Sequence, residues 1–276
     1  MPSTRLPPDE RLRLADALRA IAVRAGGTIM SIYESGFEVE TKDDRSPVTE
    51  ADKLAEAAIL QGLAEHAPGI PVVAEESVAA GNVPDIGGGI FMLVDPLDGT
   101  KEFISRNGEF TVNIALVEDG VPVLGVVHLP ALNETFWSDG VAPHAWRQRG
   151  GGQSAGASAT PEPIRCRQPG GGLVVVASRS HRDARTDEFL ADYEVSELIS
   201  AGSSLKLCRV AQGSADMYPR LGRTMEWDIA AGHAVLLAAG GSVRTLAGEP
   251  LTYAKPGLDN PHFVARGLER QTTTDD

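Results

Sequence analysis

Cysteine is scarce: Cys166 and Cys208 are the only two thiols, with no Cys-x-x-Cys pair and no Cys/His cluster. That excludes a disulfide framework and argues against a zinc site. Reduced thiols in a cytoplasmic protein are the expectation. Basic residues are also few. Lys and Arg number 25 against 38 Asp and Glu, for a net charge of −13 and a pI near 4.9. Nucleic-acid polymers need a basic footprint, so none is expected as a partner. Phosphate can still be bound by a local device such as metal ions, helix N-termini or a few placed cations. Long apolar runs are missing too. The longest uncharged stretch, Ile229 to Val243, has 15 residues and includes His233 and three glycines. A membrane span needs roughly 20 apolar residues, so no transmembrane segment is expected. Residues 1–27 mix Arg5, Arg11, Arg13, Arg19 and Arg24 with acids and lack the apolar core of a secretory signal. No dinucleotide or P-loop glycine motif and no fixed-period repeat occurs.

What is present is an ordinary globular composition over 276 residues, 42% apolar and 23% charged, enough for a sizeable core. Leu14, Leu18, Ile21, Ala22 and Ala25 recur at helical spacing; that helix ends near Gly26-Gly27 or runs on to Tyr33. A second helix is predicted over about 49–64, capped by Thr49. The period then changes. Residues 71–74 and 90–94 read as buried strands, and 110–117 with 121–128 as a hairpin about Glu118-Asp119-Gly120. Residues 135–137 add a short strand. The Gly/Ser/Ala-rich segment 150–160 reads as a loop or subdomain boundary. Beyond it, strands at 173–177 and 195–199 alternate with helices at 184–191, from Ser203 or Ser204 to about 212, and from Trp227 or Asp228 to 239. The expected division is an N-terminal α+β half, 1–150, and a C-terminal α/β half, 151–276, in one catalytic unit.

The most informative segment is Asp95-Pro-Leu-Asp-Gly-Thr100. It follows an apolar strand, at the carboxyl end where α/β sites gather. Pro96 keeps Asp95 extended, and Gly99 permits a tight reversal. Two carboxylates and the free amides of Gly99 and Thr100 are thereby aimed at one place. Carboxylates hold hard cations, and helix N-terminal amides hold phosphate oxygens. The Leu97 carbonyl is a further candidate metal ligand. Read alone, the segment is also compatible with a turn bearing two solvated aspartates. Glu75-Glu76 likewise follows an apolar strand, while Asp52 and Asp228 read as acids in the first turn of helices.

The joint order of these segments carries a resemblance. Thr49-x-x-Asp52, Ala74-Glu-Glu-Ser77, Asp95-Pro-Leu-Asp-Gly-Thr100 and Trp227-Asp-x-Ala-Ala-Gly232 resemble the inositol monophosphatase superfamily of Mg²⁺-dependent, lithium-sensitive phosphatases, from about Gly27 to the C-terminus. Lys101-Glu-Phe103, Arg106 to Leu116, Ser178-Arg-Ser-His181, Gly202 to Lys206 and Tyr218-Pro-Arg220 look like its CysQ-type 3'(2'),5'-bisphosphate nucleotidases. Ala74, Ser77 and the long loop at Gly150 depart from the pattern without touching its metal acids.

The resemblance implies a layered αβαβα sugar-phosphatase fold of the α/β class. It implies two or three Mg²⁺ on Glu75, Asp95, the Leu97 carbonyl, Asp98 and Asp228. Asp52, Thr100 and Glu75 would orient or deprotonate the attacking water. Gly99 and Thr100 amides would meet the phosphate beside Glu75, Leu97, Asp98 and Asp228, with His181, Ser203, Lys206 and Arg220 on the rest of a small nucleotide bisphosphate. Adenosine 3',5'-bisphosphate is the implied substrate and 3'-phosphoadenylyl sulfate the second. The resemblance leaves monomer or homodimer open and includes members associated peripherally with membranes. An inositol or sugar monophosphatase is the alternative enzyme, disfavoured by Lys206, Arg220 and Lys101-Glu-Phe103. A regulatory or binding protein without catalysis would be expected to have lost one of the acids, and all are present.

Overall fold

The computed structural model describes residues 5–36, 39–41, 47–87, 89–141, 144–150, 160–178 and 184–269. In chain order these form α1 (Pro8–Ser35), a ribbon of β1 (Val39–Thr41) and β2 (Pro47–Thr49), α2 (Glu50–His66), β3 (Val72–Ala74), α3 (Glu75–Ala79), β4 (Ile90–Asp98) and α4 (Thr100–Ile104). Five strands follow: β5 (Thr111–Glu118), β6 (Val121–Leu129), β7 (Glu134–Ser138), β8 (Ala145–Arg149) and β9 (Glu162–Ile164). The remainder is β10 (Leu173–Ser178), α5 (Ala184–Leu190), β11 (Val195–Ala201), α6 (Leu205–Ala211), β12 (Met217–Arg220), α7 (Glu226–Ala238), β13 (Ser242–Thr245) and β14 (Phe263–Arg266).

A seven-stranded sheet runs β3 to β9 in sequence order, parallel between β3 and β4 and antiparallel beyond. A five-stranded sheet has the order β11-β10-β12-β14-β13, with parallel pairs at β10. Strand alternation assigns the layers. In β4, Met92 and Val94 join Ile114 and Leu116 of β5 in a core with α1 and α2. Phe91 and Leu93 join Ala115 and Val117 in a second core with α6 and α7, which also takes Tyr218 and Phe263 from the small sheet. The opposite face of that sheet packs Val175, Met217 and Val264 against Leu190 of α5. The result is the expected αβαβα layering. β4 is apolar on both faces because helices cover both.

The β5–β6 hairpin turns on Asp119 (φ 51°) and Gly120 (φ 75°), the two left-handed residues that a two-residue turn matching strand twist requires. α1 continues through Gly26-Gly27. At Gly26 a Cβ would stand 2.6 Å from His128, so that glycine admits the strand side chain beneath the helix. α7 lies against β6 in the same way: a Cβ on Gly125 would be 2.2 Å from the Ala231 carbonyl. The central helix is thereby seated on the large sheet with its N-terminus at the end of β4. Two short strands, β8 and β9, were not expected. Trp146 of β8 stacks on the buried Trp137 at 6.4 Å, which makes this tryptophan pair part of the core.

Two buried histidines carry a pH dependence. Burial pushes His128 down to about 4 and His233 down to about 3, and each imidazole meets a hydroxyl, from Thr135 and Tyr253 respectively, at 2.9 Å. A folded pKa below the unfolded one means that the unfolded chain takes up the proton first, so stability falls as pH drops from 6.5 towards 4. For His128 the loss between pH 7 and pH 5 is about 2 kcal/mol. Urea unfolding of the wild type and of His128→Gln at both pH values should give a stability difference that changes by this amount. An unchanged difference would mean that His128 protonates within the fold.

Candidate active site

Asp95 follows the apolar run of β4 and is buried. Its Oδ1 accepts the Leu97 N–H at 3.0 Å, a bond that spans Pro96. Pro96 has no N–H to give to the ladder. Pairing with β5 accordingly slips between Asp95, opposite Asn113, and Asp98, opposite Thr111. Such a bulge re-aims side chains where a strand ends.

Gly99 then turns the chain at φ 92° and Thr100 opens α4. A Cβ on Gly99 would lie 2.1 Å from Ser203 Oγ, so position 99 has neither the conformation nor the room for a side chain.

Asp52 and Asp228 occupy equivalent places. Each is the third residue of its helix, α2 or α7, and accepts the N–H of the residue before that helix: Thr49 for Asp52, Met225 for Asp228, both at 2.8 Å. The Thr49 hydroxyl also donates to Asp52 Oδ2 at 2.7 Å. The other oxygen, Oδ1, lies 3.4 Å from Thr100 Oγ. α7 opens two residues before Asp228, at Glu226. Glu226 is itself buried and accepts from Lys255 Nζ at 2.6 Å.

Glu75 opens α3 at the end of β3, beside β4. That helix start is fixed by Glu56 of α2, whose carboxylate accepts the N–H groups of Glu76 and Ser77 and the Ser77 hydroxyl, at 2.7, 2.8 and 2.6 Å. The sequence signal for Glu56 was an acid beside Ala55 on the apolar face of α2.

These elements bound a cleft of about 350 Å³. Glu75, Asp98 and Asp228 line it together with Gly99, Thr100, Ser203, Lys206 and Arg220. Asp52, Asp95 and Leu97 lie beneath the lining, each nearly inaccessible. His181 lies outside the described residues. Ser203 lines the cleft, and its hydroxyl donates to the carbonyls of Asp98 and Glu109, at 2.8 and 2.9 Å. Neither Ser203 nor Ser204 caps α6 through its side chain.

The electrostatics are those of crowded anions. Asp95 and Asp228 are pushed well above the usual carboxylate range, first by burial and then by their acidic neighbours Glu75 and Asp98. Burial raises Asp98 to about 6, against the pull of the Lys206 charge and the Ser204 N–H. Asp52 also rises to about 6 through burial, opposed by its bonds from Thr49. Lys206 falls to about 8 on burial, and its ammonium donates to the Ala201 and Ser203 carbonyls at 3.4 and 2.6 Å. Arg220 donates from Nη2 to the Arg223 carbonyl at 3.1 Å, while its buried Nε–H has no partner among the described residues.

As the side chains lie, no three acids, histidines or cysteines among the described residues stand together as a formed cage for a metal ion. The donor set still suits a hard cation. Buried carboxylates that raise one another's pKa are relieved either by protons or by divalent charge. Their oxygens and the Leu97 carbonyl are the ligand type that magnesium takes.

The inositol monophosphatase family model matches residues 10–273. The 3'(2'),5'-bisphosphate nucleotidase CysQ of Shigella flexneri is 44% identical over 253 residues, spanning 91% of this chain and 98% of that protein. Its counterpart in Escherichia coli strain K12 is 43% identical over the same shares. Among solved structures, CysQ from Bacteroides thetaiotaomicron, described as a bacterial member of the inositol monophosphatase family, matches with a TM-score of 0.75. Its identity is 41%, covering 92% of this chain and 96% of that one. The Thermotoga maritima IMPase matches at 0.71 and 26%, covering 92% and 91%. No helix among the described residues is long and apolar enough to cross a membrane.

Proposed function

Because the chain belongs to the inositol monophosphatase family, we propose that it is a magnesium-dependent phosphomonoesterase that removes the 3'-phosphate of adenosine 3',5'-bisphosphate to give AMP and phosphate. 3'-Phosphoadenylyl sulfate is its second substrate, and its role is clearance of the by-product of sulfate activation in the cytoplasm. The observation that carries the reading is one cleft lined both by the acids Glu75, Asp98 and Asp228 and by the cations Lys206 and Arg220. Relatives at 43–44% identity over 98% of their length are named 3'(2'),5'-bisphosphate nucleotidases, which supports the bisphosphate reading.

Glu75, Asp95, Asp98, Asp228 and the Leu97 carbonyl would hold two or three magnesium ions. The chemistry those ions supply when bound is neutralisation of phosphoryl and leaving-group charge and a nucleophilic water at neutral pH. The protein's own groups do the rest. The Gly99 and Thr100 N–H groups precede the first intrahelical bond of α4 and are open to phosphate oxygens. The Thr100 hydroxyl and Asp52 Oδ1, 3.4 Å apart, orient the attacking water and take its proton, with Glu75 as a further acceptor. Asp52 is suited to this because Thr49 fixes its other oxygen, leaving one orientation.

Recognition of the distal phosphate falls to the unpaired Arg220 Nε–H and to the charge of Lys206. A monophosphate has nothing to offer these groups, and the preference should be read there. Phosphate release with Mg²⁺ from adenosine 3',5'-bisphosphate is expected to exceed that from inositol 1-phosphate at least a hundredfold in kcat/KM, and chelator should abolish it. Equal or reversed preference would overturn the bisphosphate assignment while sparing the phosphatase. Turnover of neither would refute both.

A further inference from the structure

The turn at Gly202–Ser204, between β11 and α6, joins groups that are remote in sequence. It is held from two sides. The Gly202 N–H donates to Glu109 Oε2 at 2.8 Å. From within α6, the Lys206 ammonium donates to the carbonyls of Ala201 and Ser203. Ser203 lies in the left-handed region at φ 48°, which a serine occupies only where its surroundings impose it.

This strained turn delivers three bonds to the acids. The Ser203 hydroxyl proton is shared between the Asp98 and Glu109 carbonyls. The Ser204 N–H donates to Asp98 Oδ2 at 2.7 Å. The Ser204 hydroxyl donates to the Asp228 carbonyl at 2.5 Å. One turn on the small-sheet side therefore grips Asp98 at the end of the large sheet and Asp228 at the head of α7. Gly99 is bare where the Ser203 hydroxyl seats, so the two positions fit as a pair.

We propose that Ser203 is a positioning residue for the acidic cluster: its hydroxyl pins the turn to the Asp98 and Glu109 carbonyls, so that the next residue, Ser204, can set Asp98 against Asp228 for cation binding. The inference rests on the phosphatase reading above. It differs from a phosphate-ligand role in where the loss should appear. A phosphate ligand acts only on a substrate that carries the distal phosphate. A positioning residue acts before any substrate is present, and equally on substrates with and without that phosphate.

The test uses Ser203→Gly and Ser203→Ala in the full chain. Glycine relieves the left-handed strain while removing the hydroxyl, so the fold is retained where alanine could destabilise it. Mn²⁺ binding without substrate, read by electron paramagnetic resonance, is expected to weaken 10- to 100-fold, the usual effect of losing a partner that orients a metal ligand. kcat should fall by a similar factor on adenosine 3',5'-bisphosphate and on adenosine 3'-monophosphate, leaving their KM ratio unchanged. Wild-type Mn²⁺ affinity in Ser203→Gly would overturn the proposal, and a loss confined to the bisphosphate would make Ser203 a phosphate ligand. If the wild type itself neither binds Mn²⁺ nor releases phosphate, the phosphatase reading has failed and the inference falls with it.

Discussion

Asp98→Asn is expected to lower kcat at least a thousandfold and, without divalent cations, to raise the melting temperature. The two effects share one cause. Asp98 is half-buried, crowded by Asp95, Asp228, Glu75 and Glu102, and desolvation lifts its carboxyl to about 6. A folded pKa above the unfolded value of 3.8 means that the charged form penalises the fold at neutral pH. The penalty is complete above the folded pKa and disappears as pH falls through it. It amounts to ~1–3 kcal/mol. Asparagine has the same shape, keeps an oxygen for the Ser204 N–H and carries no charge, so it removes the penalty without leaving a cavity. It also removes a cation ligand. Divalent cations stabilise a native state that binds them in proportion to the logarithm of their concentration. Melts of wild type with Mg²⁺ and with chelator should therefore separate by several degrees, and those of Asp98→Asn should nearly coincide. A variant that melts like wild type under both conditions and still releases phosphate would remove Asp98 from the site.

The sequence made the end of β4 legible because three local signals coincide there: an apolar run, Pro96 within the acidic pair, and Gly99 before a helix. Asp52 and Asp228 were harder for a physical reason. Each is a genuine capping acid with a bond to the residue before its helix, so the local pattern is fully explained without any site. Only the order of all the segments together, carried by the resemblance, singled them out. Gly26-Gly27 leaves open in the sequence whether α1 stops there or runs on to Tyr33; it runs on, because Gly26 serves close packing against His128, a demand set by a strand a hundred residues later. β8 and β9 escaped notice because Trp146-Arg-Gln-Arg149 alternates poorly and β9 has only three residues. Ser203 shows the limit most clearly. Its neighbours in sequence suggest a helix cap, while its partners are Asp98, at the end of β4, and Glu109, in the connection that leads into β5. Nothing in local periodicity encodes a bond across some hundred residues. Glu56 is the intermediate case: an acid on an apolar helix face signals a buried partner but does not name it.

Gly99→Ala is expected to cost more activity than a left-handed glycine ordinarily would. Two effects add at this position. The φ of 92° is strained for any residue with a Cβ, at about 1–2 kcal/mol. The Cβ would also stand 2.1 Å from Ser203 Oγ, a clash that must expel the hydroxyl or shift the turn bearing Asp98 and Thr100. Displacing reacting groups by even an ångström can cost a hundredfold in rate. The expected result is a loss of 100- to 1,000-fold in kcat with a modest fall in melting temperature. Gly248 supplies the control. Its φ is 85°, and nothing lies within 4 Å of where its Cβ would be. Gly248→Ala therefore carries the backbone strain alone. It should lower the melting temperature by a few degrees and leave kcat within twofold of wild type. Comparable activity losses in the two variants would mean that backbone strain, and not the Gly99–Ser203 contact, governs the site. A Gly99→Ala enzyme with wild-type kcat would show that the Ser203 hydroxyl can leave its place without consequence, which would count against both the turn geometry and the positioning role assigned to it.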